Sequence, residues 1–283
     1  MSKRDPLDKA GQQYWERGYQ AAASGTGTRG FDPHRGQARD FWKRQFHEYF
    51  QFAFSGIETI GQRLVEVGAG GSTILPYFGR EFGFHVVGLD YSAAGCALVE
   101  QNLLREGVTG EVVCADIFQP PVGEIGRADV VVSFGVVEHF SDPAECVLAC
   151  SALLKPGGLM ITTVPNMAGF VGLLQRTLDR DVFEKHVALN ADRLRSAHER
   201  AGMTVLDTRY VLFAHLGVVN INETKPGVGR RVRAIALALL KGVTGALWFL
   251  EQRLAALPAN AVTSPYVFCL ARKPFAGVAD PSA

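Results

Sequence analysis

The sequence predicts an α/β protein built on a doubly wound parallel sheet. Three observations predict it. Short, nearly uninterrupted apolar runs alternate with helix-patterned stretches from residue 63 onward, as expected of parallel strands buried on both faces. Three glycines, Gly68, Gly70 and Gly71, follow directly on the first run. Acids stand at the ends of three successive runs, at Glu66, Asp90 and Asp116.

The elements follow in order. "RLVEV" (63–67) is the first strand, and a helix is expected over 73–82. "HVVGLD" (85–90) precedes a helix over 92–106, and "EVVCAD" (111–116) and "ADVVVSFG" (128–135) are the next two strands. Asp142-Pro143 starts a helix over 143–154, the acid as cap and proline at the first helical position. "KPGG" (155–158) ends that helix and turns into "GLMITTVP" (158–165). A helix over 191–201 leads to "MTVLDTRYVL" (203–212), and "PYVFCLAR" (265–272) closes the count at seven strands. This β-α-β-α order predicts the sheet.

Four segments are expected: an N-terminal helical lid (1–62), a core (63–212), a helical insertion (213–262), and a closing strand with its tail (263–283). Tyr14, Trp15 and Tyr19 precede "AAASGTGTRG" (21–30), a glycine-rich link that would let a lid close. The aromatic stretch 41–54 is read mainly as packing under the sheet edge. Within the insertion, 230–257 carries Arg230, Arg231 and Arg233 ahead of an apolar run too interrupted for a membrane span. It is read as an interfacial helix in peripheral membrane contact, as a homodimer interface, or as a substrate cap. In the cap reading, Leu247, Trp248, Phe249 and Leu250 form an apolar wall, and Asn220, Asn222 and Glu223 are polar anchors.

Composition narrows the function. Hydrophobic residues are 47%, charged residues 20% and the formal net charge is +1, so no global charge points to nucleic acid. The five cysteines include no CxxC pair. They read as free thiols of a reducing cytosol, and no metal site is expected. The N-terminus lacks the apolar core of a signal peptide, so a cytoplasmic location is expected.

The glycine turn lets backbone approach a ligand closely. A dinucleotide site would place a third small residue where Thr73 stands, and Glu66 would repel a pyrophosphate. Both count against an NAD-dependent oxidoreductase. Glu66 would instead attract a cationic ligand such as an α-ammonium or a sulfonium. Asp90 is placed to reach ribose hydroxyls, and Asp116 to accept from an exocyclic adenine amine. Three acids at three strand ends describe an adenosine-bearing cation.

With these residues the sequence resembles the class I S-adenosylmethionine-dependent methyltransferases. "VEVGAGGS", "VVGLDYS", "CADIF", "ADVVVSFGVVEHFSDP" and "LLKPGGLMITTVPN" resemble their successive motifs in order, and "HVALNADRLRSAHERAGMTV" resembles their later helix–strand segment. The resemblance covers roughly 60–212 and the closing strand. It implies strand order 3-2-1-4-5-7-6 with strand 7 antiparallel, and S-adenosyl-L-methionine as cofactor with S-adenosyl-L-homocysteine as product. It further implies that Glu66, Gly68, Ala69 and Gly70 hold the methionine end. Asp90 and Tyr91 would serve the ribose and adenine, Asp116 and Ile117 the adenine edge, and Phe134 and Gly135 the sulfonium end. Ser72 departs from members with a third glycine.

The acceptor is expected to be a small molecule of biosynthetic or secondary metabolism, with a lipid or quinone at a membrane surface as the alternative. A non-catalytic S-adenosylmethionine-binding module is a further reading. No N-P-P-[YF] tetrapeptide follows the fourth strand, which argues against DNA. His139, beside Glu138, is read as a general base or as a histidine orienting its loop. His186 would reach over the pocket or stand solvated in a loop. Tyr14 and Asn166 are candidate acceptor contacts.

Overall fold

The computed structural model describes residues 8–23, 30–220, 228–254 and 257–275. Among them, seven strands form one sheet in the order β3-β2-β1-β4-β5-β7-β6. The strands are β1 (Arg63–Val67), β2 (His85–Asp90), β3 (Gly110–Cys114), β4 (Ala128–Phe134), β5 (Leu154–Pro165), β6 (Thr204–Val211) and β7 (Tyr266–Arg272). The first five pair in parallel, and β7 runs antiparallel between β5 and β6. Both the order and the single reversed strand are those the resemblance implies.

The helices are α1 (Gln12–Ala23), α2 (Phe41–Phe54), α3 (Leu75–Phe82), α4 (Ala93–Arg105), α5 (Pro143–Ala152), α6 (Phe170–Leu178), α7 (Arg180–Phe183), α8 (Ala191–Arg200) and α9 (Val228–Glu251). Alternate residues of each strand feed two cores. Leu64, Val86, Val130, Ile161 and Phe268 face α2 and α3, and Val65, Val87, Val131, Met160 and Cys269 face α5 and α8. That double burial is why the strands read as continuous apolar runs. Caps fix where helices begin. Ser92 Oγ accepts from Gly95 N at 3.0 Å, and Asp142 Oδ1 from Ala144 N at 3.1 Å. Asn190 Oδ1 accepts from Arg193 N at 2.9 Å.

Several expectations shift. β3 ends at Cys114, so Asp116 lies in the loop beyond it, where its Oδ1 accepts from Phe118 N. "KPGG" belongs to β5 as an irregularity. Leu154 pairs with Ala128, and the register then slips to Leu159 opposite Val130, Gly157 taking φ +80°. The N-terminal segment divides: α2 buries Phe46, Phe50 and Phe54 in the sheet's core, while α1 buries none of its residues there. Between 166 and 190, where the pattern assigns no helix, lie α6 and α7.

The insertion differs in part from the cap reading. Trp248 is buried, its Nε1 donating to Ala214 O at 2.9 Å, and its ring packs on His215 and Phe41. Phe249 and Leu250 are about half exposed. Residues 247–250 therefore brace the chain leaving β6 and provide no wall to the cleft described below, whereas Asn220, a polar anchor of the cap reading, and Val218 do line it. Asn222 and Glu223 lie outside the described residues.

The five cysteines are unpaired, with Cys114 alone exposed. Among the described residues, no helix is long and apolar enough to cross a membrane.

Candidate functional site

The carboxyl ends of β1, β2 and β4 open into a cleft of about 880 Å³, where an open α/β sheet places its ligands. That volume is at the upper end for a small-molecule site.

The glycine turn forms one wall. Gly68 has φ +72°, and a Cβ there would stand 2.3 Å from Val136 Cγ2. A Cβ on Gly70 would stand 2.4 Å from the Tyr19 ring, so α1 lies directly over the turn. The helix is tied down by polar contacts to the loop after β2. Gln12 Nε2 donates to Tyr91 O at 2.7 Å, and Ser92 Oγ donates to Glu16 Oε2 at 2.5 Å. Tyr91 Oη donates to Asp8 Oδ2 at 2.9 Å.

Two buried acids face this wall. Asp90 accepts from Gly70 N at 2.7 Å and from Ser92 N at 2.8 Å, so it fixes the turn while lining the cleft. Burial raises its carboxyl above the ordinary range, against those hydrogen bonds. Glu66 accepts from Ser72 Oγ at 2.9 Å. Burial, with the nearby charge of Asp90, pushes its carboxyl up to about 8. The serine that departs from the family's third glycine thus holds the acid in place.

This environment fits a cationic ligand, and it sets a measurable sign. With its pKa raised to about 8 by burial, Glu66 favours the protonated form at pH 7. A ligand α-ammonium stabilises the carboxylate and lowers that pKa, so binding releases a proton. Titrating S-adenosylhomocysteine at pH 7 in buffers of different ionisation enthalpy should show release approaching one proton. The release should vanish in Glu66→Gln. Proton uptake, or equal release in both proteins, would contradict the assignment.

The remaining cofactor candidates fall into place unevenly. Tyr91, Asp116, Ile117, Phe134 and Gly135 line the cleft. Gly135 adopts φ +69°, and Phe134 stacks on Phe78 at an interplanar angle of 15°. Ala69 does not line the cleft. It is fully buried, its N–H goes to Leu89 O, and its methyl lies beneath the turn toward Gly88.

Beyond Gly135 the chain turns through Glu138 and His139, both buried. His186, from the loop after α7, brings its ring centroid within 4.5 Å of that of His139. His139 Nδ1 lies 3.0 Å from Lys185 O, and His186 Nδ1 lies 2.7 Å from Val182 O. A carbonyl only accepts, so each Nδ1 carries the proton and each Nε2 keeps its lone pair. Burial and the neighbouring imidazole lower His139 to about 4, and burial pushes the Glu138 carboxyl up to about 8. Trp15 meets His139 edge-on, with centroids 5.1 Å apart. Lys185 Nζ lies 4.7 Å from the Tyr14 ring centroid, and Tyr14 lines the cleft.

Asn166 does not reach the cleft. Its Nδ2 donates to Ala261 O and Ser264 O at 2.9 and 3.0 Å, pinning the approach to β7. Asn166→Ala should therefore lower stability by about 1–2 kcal/mol in urea unfolding and leave S-adenosylhomocysteine affinity unchanged. A selective loss of affinity would return Asn166 to the site.

Trp42, Phe46 and Tyr266 also line the cleft. The aromatic spacing of 41–54 signalled burial but not a ligand, because a helical stripe packs on a core or on a cavity with one periodicity.

Comparison with known proteins fits this geometry. Residues 65–162 match the family model of a methyltransferase domain. The ubiquinone biosynthesis O-methyltransferase of Cronobacter sakazakii is 35% identical over 106 residues, 38% of this chain and 43% of that protein. Its counterpart in Nitrobacter winogradskyi is 27% identical over 165 residues, 56% of this chain and 62% of that protein. The chain thus spans about half the length of these relatives. The solved structure of phosphoethanolamine N-methyltransferase 2 from Haemonchus contortus aligns with a TM-score of 0.59 at 19% identity, covering 97% of this chain and 60% of that one. Residues 65–162 thus match a methyltransferase domain, and the seven-stranded sheet has the fold of that solved methyltransferase structure.

Proposed function

We propose that the protein transfers a methyl group from S-adenosyl-L-methionine to a hydroxyl of a small aromatic or quinoid acceptor. Glu66, Gly68 and Gly70 hold the methionine end, Asp90 the ribose, and Asp116 and Ile117 the adenine. Bound there, the cofactor supplies an activated methyl on a sulfonium, an excellent leaving group. The chain's own work is alignment, holding the acceptor about 3–3.5 Å from the carbon, and handling the hydroxyl proton.

The observation that carries this reading is the pair of unprotonated Nε2 atoms of His139 and His186, grouped beyond Gly135. They can accept the proton of a neutral hydroxyl. Trp42, Phe46 and Tyr266 offer flat apolar walls to a ring, and α1 covers the turn against water. The relatives' O-methyl chemistry supports oxygen as the nucleophile. Methyl-labelled cofactor should mark hydroxylated aromatic acceptors, with His139→Ala and His186→Ala lowering kcat. Binding of S-adenosylhomocysteine without transfer to any hydroxylated, amino or carbon acceptor would favour the non-catalytic binding module.

A second reading places the acceptor at a membrane surface. Val232, Ile235, Leu239, Val243, Leu250 and Leu254 recur at helical spacing along and just past α9, each half or more exposed, after the arginines at 230, 231 and 233. A basic, one-sided apolar helix suits an anionic lipid surface. Co-sedimentation with anionic but not neutral vesicles, lost in Leu239→Glu, would support it. Self-association lost by the same change would favour a homodimer.

A further inference from the structure

We infer that His34, His47 and Glu81 form a binding site for one divalent transition-metal ion, outside the cleft, where the loop before α2 meets α3. Each offers one ligand atom, and these atoms all lie within 4.8 Å of one another. The ligands come from three places in the fold: His34 from the loop, His47 from α2 and Glu81 from α3. His34 Nε2 lies 3.0 Å from Glu81 Oε2, which an ordinary hydrogen bond explains. His47 Nε2 lies 4.0 Å from Glu81 Oε1, too far for a hydrogen bond. Ligands about 2.0–2.1 Å from a tetrahedral zinc stand roughly 3.3 Å apart, between those two spacings. One ion thus answers both histidines, where the hydrogen bond answers only His34.

The surroundings hold the donors as a metal site requires. His47 Nδ1 lies 2.7 Å from Tyr77 Oη. With that nitrogen donating its proton to the hydroxyl, Nε2 keeps its lone pair toward Glu81. The His34 N–H donates to Asp32 Oδ1 at 3.0 Å, while the ring, 63% exposed, has room to close the widest gap. Two imidazoles and one carboxylate suit zinc or cobalt better than magnesium or calcium, which prefer all-oxygen sites. His34, Tyr77 and Glu81 line a cavity of about 380 Å³ apart from the cleft, which gives an ion a way in and room for the waters that complete its shell. Arg35, Arg80 and Arg105 line the same cavity and oppose a cation. Arg35 is paired with Asp32 and Arg80 with Glu106, and Glu48 adds negative charge near His47.

The role follows from what the ion fastens, and it stands independently of the methyl-transfer reading. Phe31, three residues before His34, lines the cleft. Its ring meets Trp42 of α2 and Tyr77 of α3 at centroid distances of 5.5 and 4.6 Å. Its N–H donates to Thr73 O at 3.1 Å, just past the glycine turn. An ion on His34, His47 and Glu81 ties the same loop to the same two helices, so it stiffens this wall of the cleft from outside it.

Glu138, His139 and His186 are the other group of metal-ligating side chains among the described residues. The test is therefore run in His186→Ala protein, which removes one ligand from that group. Chelator-treated His186→Ala protein is titrated with Co²⁺, read by visible absorption and calorimetry, and should bind one ion. Adding His34→Ala or Glu81→Gln should weaken binding at least about tenfold. Tyr77→Phe, which keeps the ring and removes the acceptor of the His47 proton, should weaken it about tenfold. His34→Cys, which supplies another ligand, should retain binding and add a sulfur-to-cobalt charge-transfer band in the near ultraviolet. Zn²⁺ should raise the midpoint of thermal unfolding of His186→Ala protein, and the rise should be lost when His34→Ala is added. No Co²⁺ binding to His186→Ala protein, binding unchanged by His34→Ala, or His34→Cys protein without the new band would overturn the site.

Discussion

Gly68→Val should reduce S-adenosylhomocysteine affinity at least about 100-fold, equivalent to about 2.8 kcal/mol. Two causes combine. The turn needs φ +72°, a region L-residues avoid and β-branched ones tolerate worst. The new side chain would also begin 2.3 Å from Val136 Cγ2, so Val136 or the turn must move, and both line the cleft. Gly202 separates strain from site damage. It has φ +76° with nothing within 4 Å of an added Cβ, after α8 and outside the cleft lining. Gly202→Ala should cost about 1–2 kcal/mol of stability and leave affinity unchanged. A folded Gly68→Val protein with wild-type affinity would show that the turn does not touch the cofactor.

Asp90→Ala should weaken the same ligand by about 1–3 kcal/mol, roughly 5- to 150-fold. The carboxylate accepts from Gly70 N and Ser92 N. Removing it leaves two N–H groups without an acceptor and the ribose without its own. Stability should fall as well, since Ser92 is the cap of α4. Asp90→Asn, which keeps one acceptor oxygen, should fall between. Lowered stability with unchanged affinity would reduce Asp90 to a residue that only shapes the turn.

The cofactor wall was legible in the sequence because its chemistry is local. Glu66 lies near the end of one strand, Gly68 and Gly70 follow it, and Asp90 ends the next. A strand buried on both faces also leaves a continuous apolar run that needs no tertiary knowledge. The acceptor end was not legible in that way. His139 and His186 are far apart in the chain, and only the path through α6 and α7 brings them together. Their tautomers depend on carbonyls that sequence does not place. Asn166 looked like a contact because it follows β5, yet its side chain turns back to the 261–264 segment. Trp248 looked like a pocket wall because apolar runs do not say what they pack against. Glu66 showed its charge in sequence, but its partner Ser72 was legible only as a departure from the glycine pattern.

The most direct test of the central claim is a crystal structure with S-adenosylhomocysteine bound. The expected result places the adenine beside Asp116 and Ile117, the ribose at Asp90 and the amino acid moiety at Glu66 and Gly68. The sulfur should lie at Phe134 and Gly135, facing His139 and His186. Ligand bound elsewhere, or a sulfur directed away from the two histidines, would contradict the account.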